Sequence, residues 1–331
     1  MSVAAQHSAI RRVARTGTVV ATTVHGMRLL AIDGGGIRGI IPALVLAELE
    51  RRAGRRIFEL FDLIAGTSTG GILACALCAP DPLPASELVR LYDEEGPKIF
   101  HRSIFQRIRS AEGLIDEKYD DAALDRALER FLGHKRLAET MPDLIVPTYD
   151  TALPGPYFFK TSKARETPES DDFPLSVVAH STSAAPTYFE PVEVDERALV
   201  DGGVFAANPA MCALAEVLNR DDVSPRDVVL LSLGTGERTH KRSFDEIKDW
   251  GLVSWARPIL DVVFDGQSDA VDYQLERVLT GERYWRLQAE LSLASDDLDD
   301  ASHDNLARLR GQAEELVHER SADLDTALAR L

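Results

Sequence analysis

Two short apolar runs end in glycine-bearing turns and pass straight into helical patterns. They are LLAIDGGGIRGIIPALVLAELE, Leu29–Glu50, and LFDLIAGTSTGGILACALCA, Leu60–Ala79. A continuous apolar run bounded by turn residues reads as a strand buried on both faces. A strand–glycine–helix unit of this kind folds back over a sheet. A third glycine turn closes DVVLLSLGTG, Asp227–Gly236, the clearest strand in the chain. Repetition of the unit predicts an α/β fold with a mostly parallel sheet between helical layers. In such sheets function gathers at the carboxyl ends of the strands.

Between and after these units the pattern continues. DLIVPTYD, PYFFKTS, Phe189–Val194 and Ala198–Val200 predict strands, and PLSVVAHSTSAA predicts a helix. NPAMCALAEVL predicts a helix with an Asn cap and Pro at its first position. From about Phe244 the chain is helical in pattern and rich in acids, and no Pro/Gly/Ser linker cuts it off. The expected organisation is a flexible extension over residues 1–26 and one domain over 27–331. Met27, just before the first strand, is a second candidate start of translation.

The charge balance narrows the partners. The formal net charge is -17, which disfavours polymeric nucleic acid and, on average, anionic membranes. Three cysteines do not make a disulfide scaffold and fit a reducing compartment, so the expected location is cytoplasmic. Cys75 and Cys78 are spaced C-x-x-C within a helical run, where they read as small buried hydrophobes. No apolar stretch is long enough to span a bilayer.

The first turn reads G-x-G-x-x-G through Gly34, Gly36 and Gly39, the outline of a dinucleotide loop. Two features oppose that reading. Asp33 places a carboxylate where a pyrophosphate would sit, and the second strand ends in a serine turn instead of a ribose-binding acid. The alternative is an oxyanion hole, for which Gly34, Gly35 and Gly36 leave backbone N–H groups open, with Arg38 adding charge or anchoring the loop. GTSTG is G-x-S-x-G, with Ser68 at a strand-to-helix turn and Gly66 and Gly70 supplying the small flanks such an elbow needs. The following helix points its positive end at the serine. A serine nucleophile needs a base. None of the eight histidines stands in a setting that announces one. Asp201, in ALVDGGVFAANP, ends a short apolar strand and is the better candidate; read alone, it is more readily a turn aspartate, since Asp-Gly is a common turn pair.

Taken together, DGGGIRG, GTSTG, TSAAPTYFEP, LVDGG and LSLGTG resemble, in order and setting, the patatin-like phospholipases, over roughly Met27 to Leu279. The resemblance implies a three-layer α/β/α fold with added C-terminal helices and a Ser68–Asp201 dyad without histidine. It also implies the glycine loop as oxyanion hole and hydrolysis of acyl esters in lipids without metal or other cofactor. Phospholipids are then the expected substrates. A thioesterase or acyltransferase on the same dyad is the alternative. Some compact bacterial members resemble effectors switched on by a cyclic nucleotide, but no motif here reads as a nucleotide pocket. PKIFHRSIFQRIRSAEG, 97–113, mixes basic and apolar residues, with Phe100, Ile104 and Ile108 on one helical face. It reads as a core-packed cap or as a peripheral membrane contact. DWGLVSWARPILDVVF, Asp249–Phe264, reads as core, an interface in an oligomer, or a lid over the acyl groove.

Overall fold

Strand β1, Met27–Ile32, sits in the middle of the fold, and its side chains alternate between two separate cores. Leu30 and Ile32 face one helical layer, whereas Leu29 and Ala31 face the other. That alternation on a strand buried on both sides makes a three-layer α/β/α structure. The structure, a computed structural model, describes residues 26–100, 119, 121–220, 222–238, 243–255 and 258–331.

The remaining strands are β2 (Leu63–Gly66), β3 (Asp143–Asp150), β4 (Gly155–Lys160), β5 (Val192–Val194), β6 (Arg197–Asp201), β7 (Val228–Leu233), β8 (Glu237–Arg238), β9 (Tyr284–Leu287) and β10 (Glu290–Leu291). The large sheet runs β5-β6-β3-β2-β1-β7-β9, with β4 also on β3, and β8 pairs with β10 apart from it. The centre, β3-β2-β1-β7-β9, is parallel, and the β4, β5 and β6 pairings are antiparallel.

Helix α1 (Ile40–Ala53) follows β1, α2 (Thr69–Cys78) follows β2, α3 (Leu175–Ser183) precedes β5, and α4 (Ala210–Leu218) follows β6. Farther on come α5 (Pro258–Val278) and α6 (His303–Glu319). Helices α1, α2, α3 and α6 pack on the Leu30 face, and α4 packs on the Leu29 face with Leu275 of α5. The C-terminal part is not helical alone: β9 extends the sheet beside β7 through Leu230–Tyr284 to Leu233–Leu287. Trp285 and Leu287 alternate with Tyr284 and Arg286 too briefly for the strand to stand out beside the long helical pattern around it. Cys75 and Cys78 are fully buried on α2, and burial pushes both thiol pKa values up. The extension 1–25 and residues 101–113 of the basic apolar segment lie outside the described residues, as does His240.

Register along β3 brings two chain ends together. Ile145 pairs with Ala65 of β2 and with Lys160 of β4, so these neighbours occupy opposite edges. Thr148 pairs with Tyr157 of β4 and with Asp201 of β6, so β6 shares the edge used by β2. Because β2 is parallel to β3 and β6 antiparallel, their carboxyl ends run toward each other. One ends at the serine turn, the other at Asp201.

Candidate active site

Ser68 stands between β2 and α2 with φ 54 and ψ -124, a left-handed conformation costly for a side chain bearing Cβ. Several bonds hold it there. Its N–H donates to Thr182 Oγ1 at 3.0 Å, and the Thr182 hydroxyl donates to the Pro147 carbonyl at 2.7 Å. Gly71 and Ile72 N–H donate to the Ser68 carbonyl at 2.8 and 3.1 Å. The Thr67 hydroxyl, next door, donates to the Ala206 carbonyl at 2.7 Å. The flanking glycines are there for close approach. A Cβ on Gly66 would lie 2.2 Å from the Gly70 carbonyl oxygen, and one on Gly70 would lie 2.2 Å from that of Ile32.

Asp201 is fully buried. Its Oδ1 accepts the Gly203 N–H at 2.7 Å, and Oδ2 has no aligned hydrogen-bond partner. Burial pushes its carboxyl pKa up to about 7, against the downward pull of the nearby Ser68 hydroxyl and the Gly203 N–H. The carboxyl is thus close enough to interact with the serine while one oxygen stays open.

The glycine loop lies beside them, but its amides are not equivalent. Gly34 N–H donates to the Ala207 carbonyl at 2.9 Å, and Ile37 N–H to the Leu298 carbonyl at 2.9 Å. No hydrogen bond among the described residues uses the N–H of Gly35 or Gly36. The open donors therefore narrow from the expected Gly34–Gly36 to Gly35 and Gly36. Gly36 has φ 58, and a Cβ there would lie 2.1 Å from the Leu298 carbonyl oxygen. Arg38 is buried behind the loop, where its Nε donates to the Gly35 carbonyl at 3.4 Å. It braces the loop instead of facing the cavity that Ser68 lines. Asp33 likewise points away, paired with Arg286 Nη2 at 2.5 Å and accepting from the Ser268 hydroxyl at 3.2 Å.

Ser68, Asp201 and Gly36 open into one cavity walled by Ile37, Ile72, Ile99, Phe100, Phe189 and Phe264, among others. Phe264 comes from the N-terminal half of α5, so the candidate lid segment Asp249–Phe264 reaches the site through this residue. Ile259 and Val262 of the same helix are exposed, and Trp250 packs edge-on against Trp255 at 5.2 Å between ring centres. Ser183 Oγ, also in the cavity wall, is buried without a hydrogen-bond partner. His180 lies elsewhere, with Nδ1 2.8 Å from Asp125 Oδ1. Sequence reasoning missed Thr182, Ser183 and Thr235. Their signal was present in TSAAPTYFEP and LSLGTG, but hydroxyls inside apolar runs carry no role until their partners are known. Among the described residues no cluster of His, Cys, Asp or Glu is arranged to hold a metal ion, and no helix is long and apolar enough to cross a membrane.

A mostly parallel sheet with a buried serine elbow, and an aspartate delivered to it by an opposed strand, defines a class of α/β proteins that also carry a glycine loop after the first strand. The sequence model described as "Patatin-like phospholipase" matches residues 30–214. "Patatin-like protein 2" of Arabidopsis thaliana is 36% identical, over 87% of this chain and 82% of its own length. "Patatin-like protein 1" of Oryza sativa subsp. indica is 33% identical, over 91% and 84%. "Probable inactive patatin-3-Kuras 1" of Solanum tuberosum is 30% identical, over 92% and 90%. Among solved structures, VipD from Legionella pneumophila is similar with a TM-score of 0.42 and 11% identity, over 89% of this chain and 67% of that one. The chain belongs to the patatin-like phospholipase family. Membership supports lipid acyl hydrolase activity; these sequence relatives are plant proteins, and they do not bear on a bacterial origin.

Proposed function

We propose that the protein is a serine hydrolase that cleaves fatty-acyl esters of phospholipids through a Ser68 acyl-enzyme. The observation that carries the reading is the open Asp201 Oδ2 beside the strained Ser68, at the head of an apolar cavity. Family membership alone does not carry it, because one potato relative bears the name "Probable inactive patatin-3-Kuras 1".

In the first half-reaction Asp201 takes the Ser68 proton while Oγ attacks the ester carbonyl. The carbonyl oxygen becomes an oxyanion received by Gly35 and Gly36 N–H, with the positive end of α2 nearby. Collapse breaks the ester C–O bond, and the leaving alcohol takes the proton from Asp201. In the second half-reaction Asp201 deprotonates water, which attacks the acyl-serine and releases fatty acid and free Ser68. An ordinary aspartate is a weak base for this; a carboxyl raised to about 7 is matched to neutral pH. The apolar walls favour an acyl chain.

The chain from Met27 onward is proposed to act as one catalytic domain, because α5 gives Phe264 to the cavity, the Leu298 carbonyl accepts the Ile37 N–H of the loop, and β9 extends the sheet. Product analysis by mass spectrometry on mixed phospholipids, with wild type and Ser68→Ala, tests the reading. Release of fatty acid and lysolipid by wild type alone supports it. Equal release by Ser68→Ala refutes it, and turnover confined to acyl-thioesters moves the assignment to a thioesterase.

A further inference from the structure

We infer that Thr235, in the turn after β7, is a positioning residue that sets the Gly34–Gly35 peptide and so presents the Gly35 N–H to the developing oxyanion. The inference rests on the hydrolase reading above. It starts from sheet order. Strand β1 lies between β2 and β7, with Ile32 level with Gly66 on one side and with Leu233 on the other. The loop leaving β1 is therefore flanked by the Ser68 elbow and by the turn Gly234–Thr235–Gly236. Gly34 touches the first flank: a Cβ on it would lie 3.2 Å from Ser68 Cβ. Gly35 touches the second, where a Cβ would lie 2.2 Å from Thr235 Oγ1.

Across that second flank the buried Thr235 hydroxyl donates to the Gly34 carbonyl at 2.7 Å. In a trans peptide the C=O and the following N–H point in opposite directions. Drawing the Gly34 carbonyl toward Thr235 therefore aims the Gly35 N–H toward Ser68. The next peptide is set in the same way: the Gly35 carbonyl accepts from Arg38 N at 3.2 Å and Arg38 Nε at 3.4 Å, which turns the Gly36 N–H outward. Two carbonyls are pinned from behind, and the two N–H groups in front are the ones without partners.

Glycine peptides rotate easily, so the loop's own backbone does not select this orientation. With its carbonyl turned inward, the Gly34–Gly35 peptide would put an acceptor where the oxyanion forms. The turn that carries Thr235 is itself anchored: Gly234 N–H donates to the Leu287 carbonyl at 2.8 Å, and Gly236 N–H to Gln288 Oε1 at 2.8 Å. Strand β9 thus supports the hole through two intermediaries.

The test compares wild type, Thr235→Val and Thr235→Ser on a short p-nitrophenyl ester. Thermal melting runs in parallel, with inhibition by a trifluoromethyl ketone, which binds as an oxyanion, and by a long-chain fatty alcohol, which carries no anionic oxygen. Thr235→Val is expected to lose roughly 10- to 100-fold in kcat, part or all of the loss typical of one oxyanion donor, with KM little changed. Ketone affinity should fall by the same factor and fatty-alcohol affinity should hold, while Thr235→Ser stays near wild type. If Thr235→Val does not fold, Thr235→Ala, which also lacks the hydroxyl, is read on the same scale. A folded variant without the hydroxyl that keeps wild-type kcat and ketone affinity overturns the inference alone. Loss of fatty-alcohol and ketone affinity together also overturns it, since that is the mark of a damaged cavity. A wild-type protein that neither cleaves esters nor takes a fluorophosphonate overturns the hydrolase reading, and the inference with it.

Discussion

Ser68 follows β2 and Asp201 closes β6, two strands that meet end to end along one edge of β3: Ala65 of β2 pairs with Ile145, and Asp201 of β6 pairs with Thr148 farther along. Neither strand needs a long loop to deliver its residue. The buried meeting point raises the acid's pKa, and the sharp turn after Gly66 pushes the serine out of the sheet plane.

Replacing either member of the pair should stop chemistry while sparing the fold. Ser68→Ala should abolish fluorophosphonate labelling and lower ester turnover at least ~1,000-fold, about 4 kcal/mol of barrier. Asp201→Asn, equal in shape but unable to take a proton, should lose turnover to a similar degree. Circular dichroism melting should place Ser68→Ala near wild type at pH 6, and Asp201→Asn near wild type at about pH 4, where the wild-type carboxyl still holds its proton in the folded state.

The pH dependence has two opposite readouts. The base works ionised, so kcat/KM should rise with pH through about 7. Stability from the same group moves the other way. Its folded pKa lies above the model-peptide value of 3.8, so the folded state holds the proton across that window and stability falls as pH rises from about 4 to about 7. The span is ~4 kcal/mol at one pKa unit per 1.36 kcal/mol. Urea unfolding of wild type and Asp201→Asn between pH 4 and 8 isolates it: the difference should grow in favour of Asn with rising pH.

Gly36→Ala should damage both fold and activity. The backbone there has φ 58, and the added methyl meets the Leu298 carbonyl at 2.1 Å. A loss of ~1–3 kcal/mol in unfolding free energy is expected from such backbone strain and clash. Turnover should fall more than stability does, because the Gly36 N–H shifts with the loop. Gly54→Ala is the control: its φ of 60 is similar but no atom lies within 4 Å.

Ile72, one turn along α2 from Ser68, stands in the cavity wall. Ile72→Phe should fill the space available to an acyl chain. Rates on p-nitrophenyl acetate and butyrate should hold within a few-fold, and rates on palmitate should drop. An unchanged chain-length profile would remove this cavity as the acyl site.

Thiol reactivity should follow burial. Cys75 and Cys78 should resist an aromatic disulfide reagent in the native protein and react on unfolding. Cys212 is partly exposed with its pKa pushed up to about 11 by burial, so it should react slowly and alone.

Most of the layered fold was legible in the chain, because strands buried on both faces and amphipathic or buried helices write their periods into consecutive residues. The serine elbow was legible for a related reason: only glycine tolerates the approach of the Gly66 and Gly70 backbones. The C-terminal strand Tyr284–Leu287 was hidden, since its four residues carry too short a period to stand out. Asp201 was ambiguous, because Asp-Gly-Gly spells a turn as readily as a base. Arg38 was open between adding charge and anchoring the loop, and its Nε reaches the Gly35 carbonyl, a contact that depends on how the turn folds.

The sequence by itself determined the local devices: where each strand stops, where a glycine must stand and which serine occupies the elbow. These depend on neighbouring residues in the chain. Tertiary structure alone decided that β6 would run head-on toward β2, that the acid would lose its water, and that Thr235 would stand behind the glycine loop. Those outcomes depend on strand order and register between segments more than a hundred residues apart, and desolvation and carbonyl direction do not exist until the sheet has assembled around them.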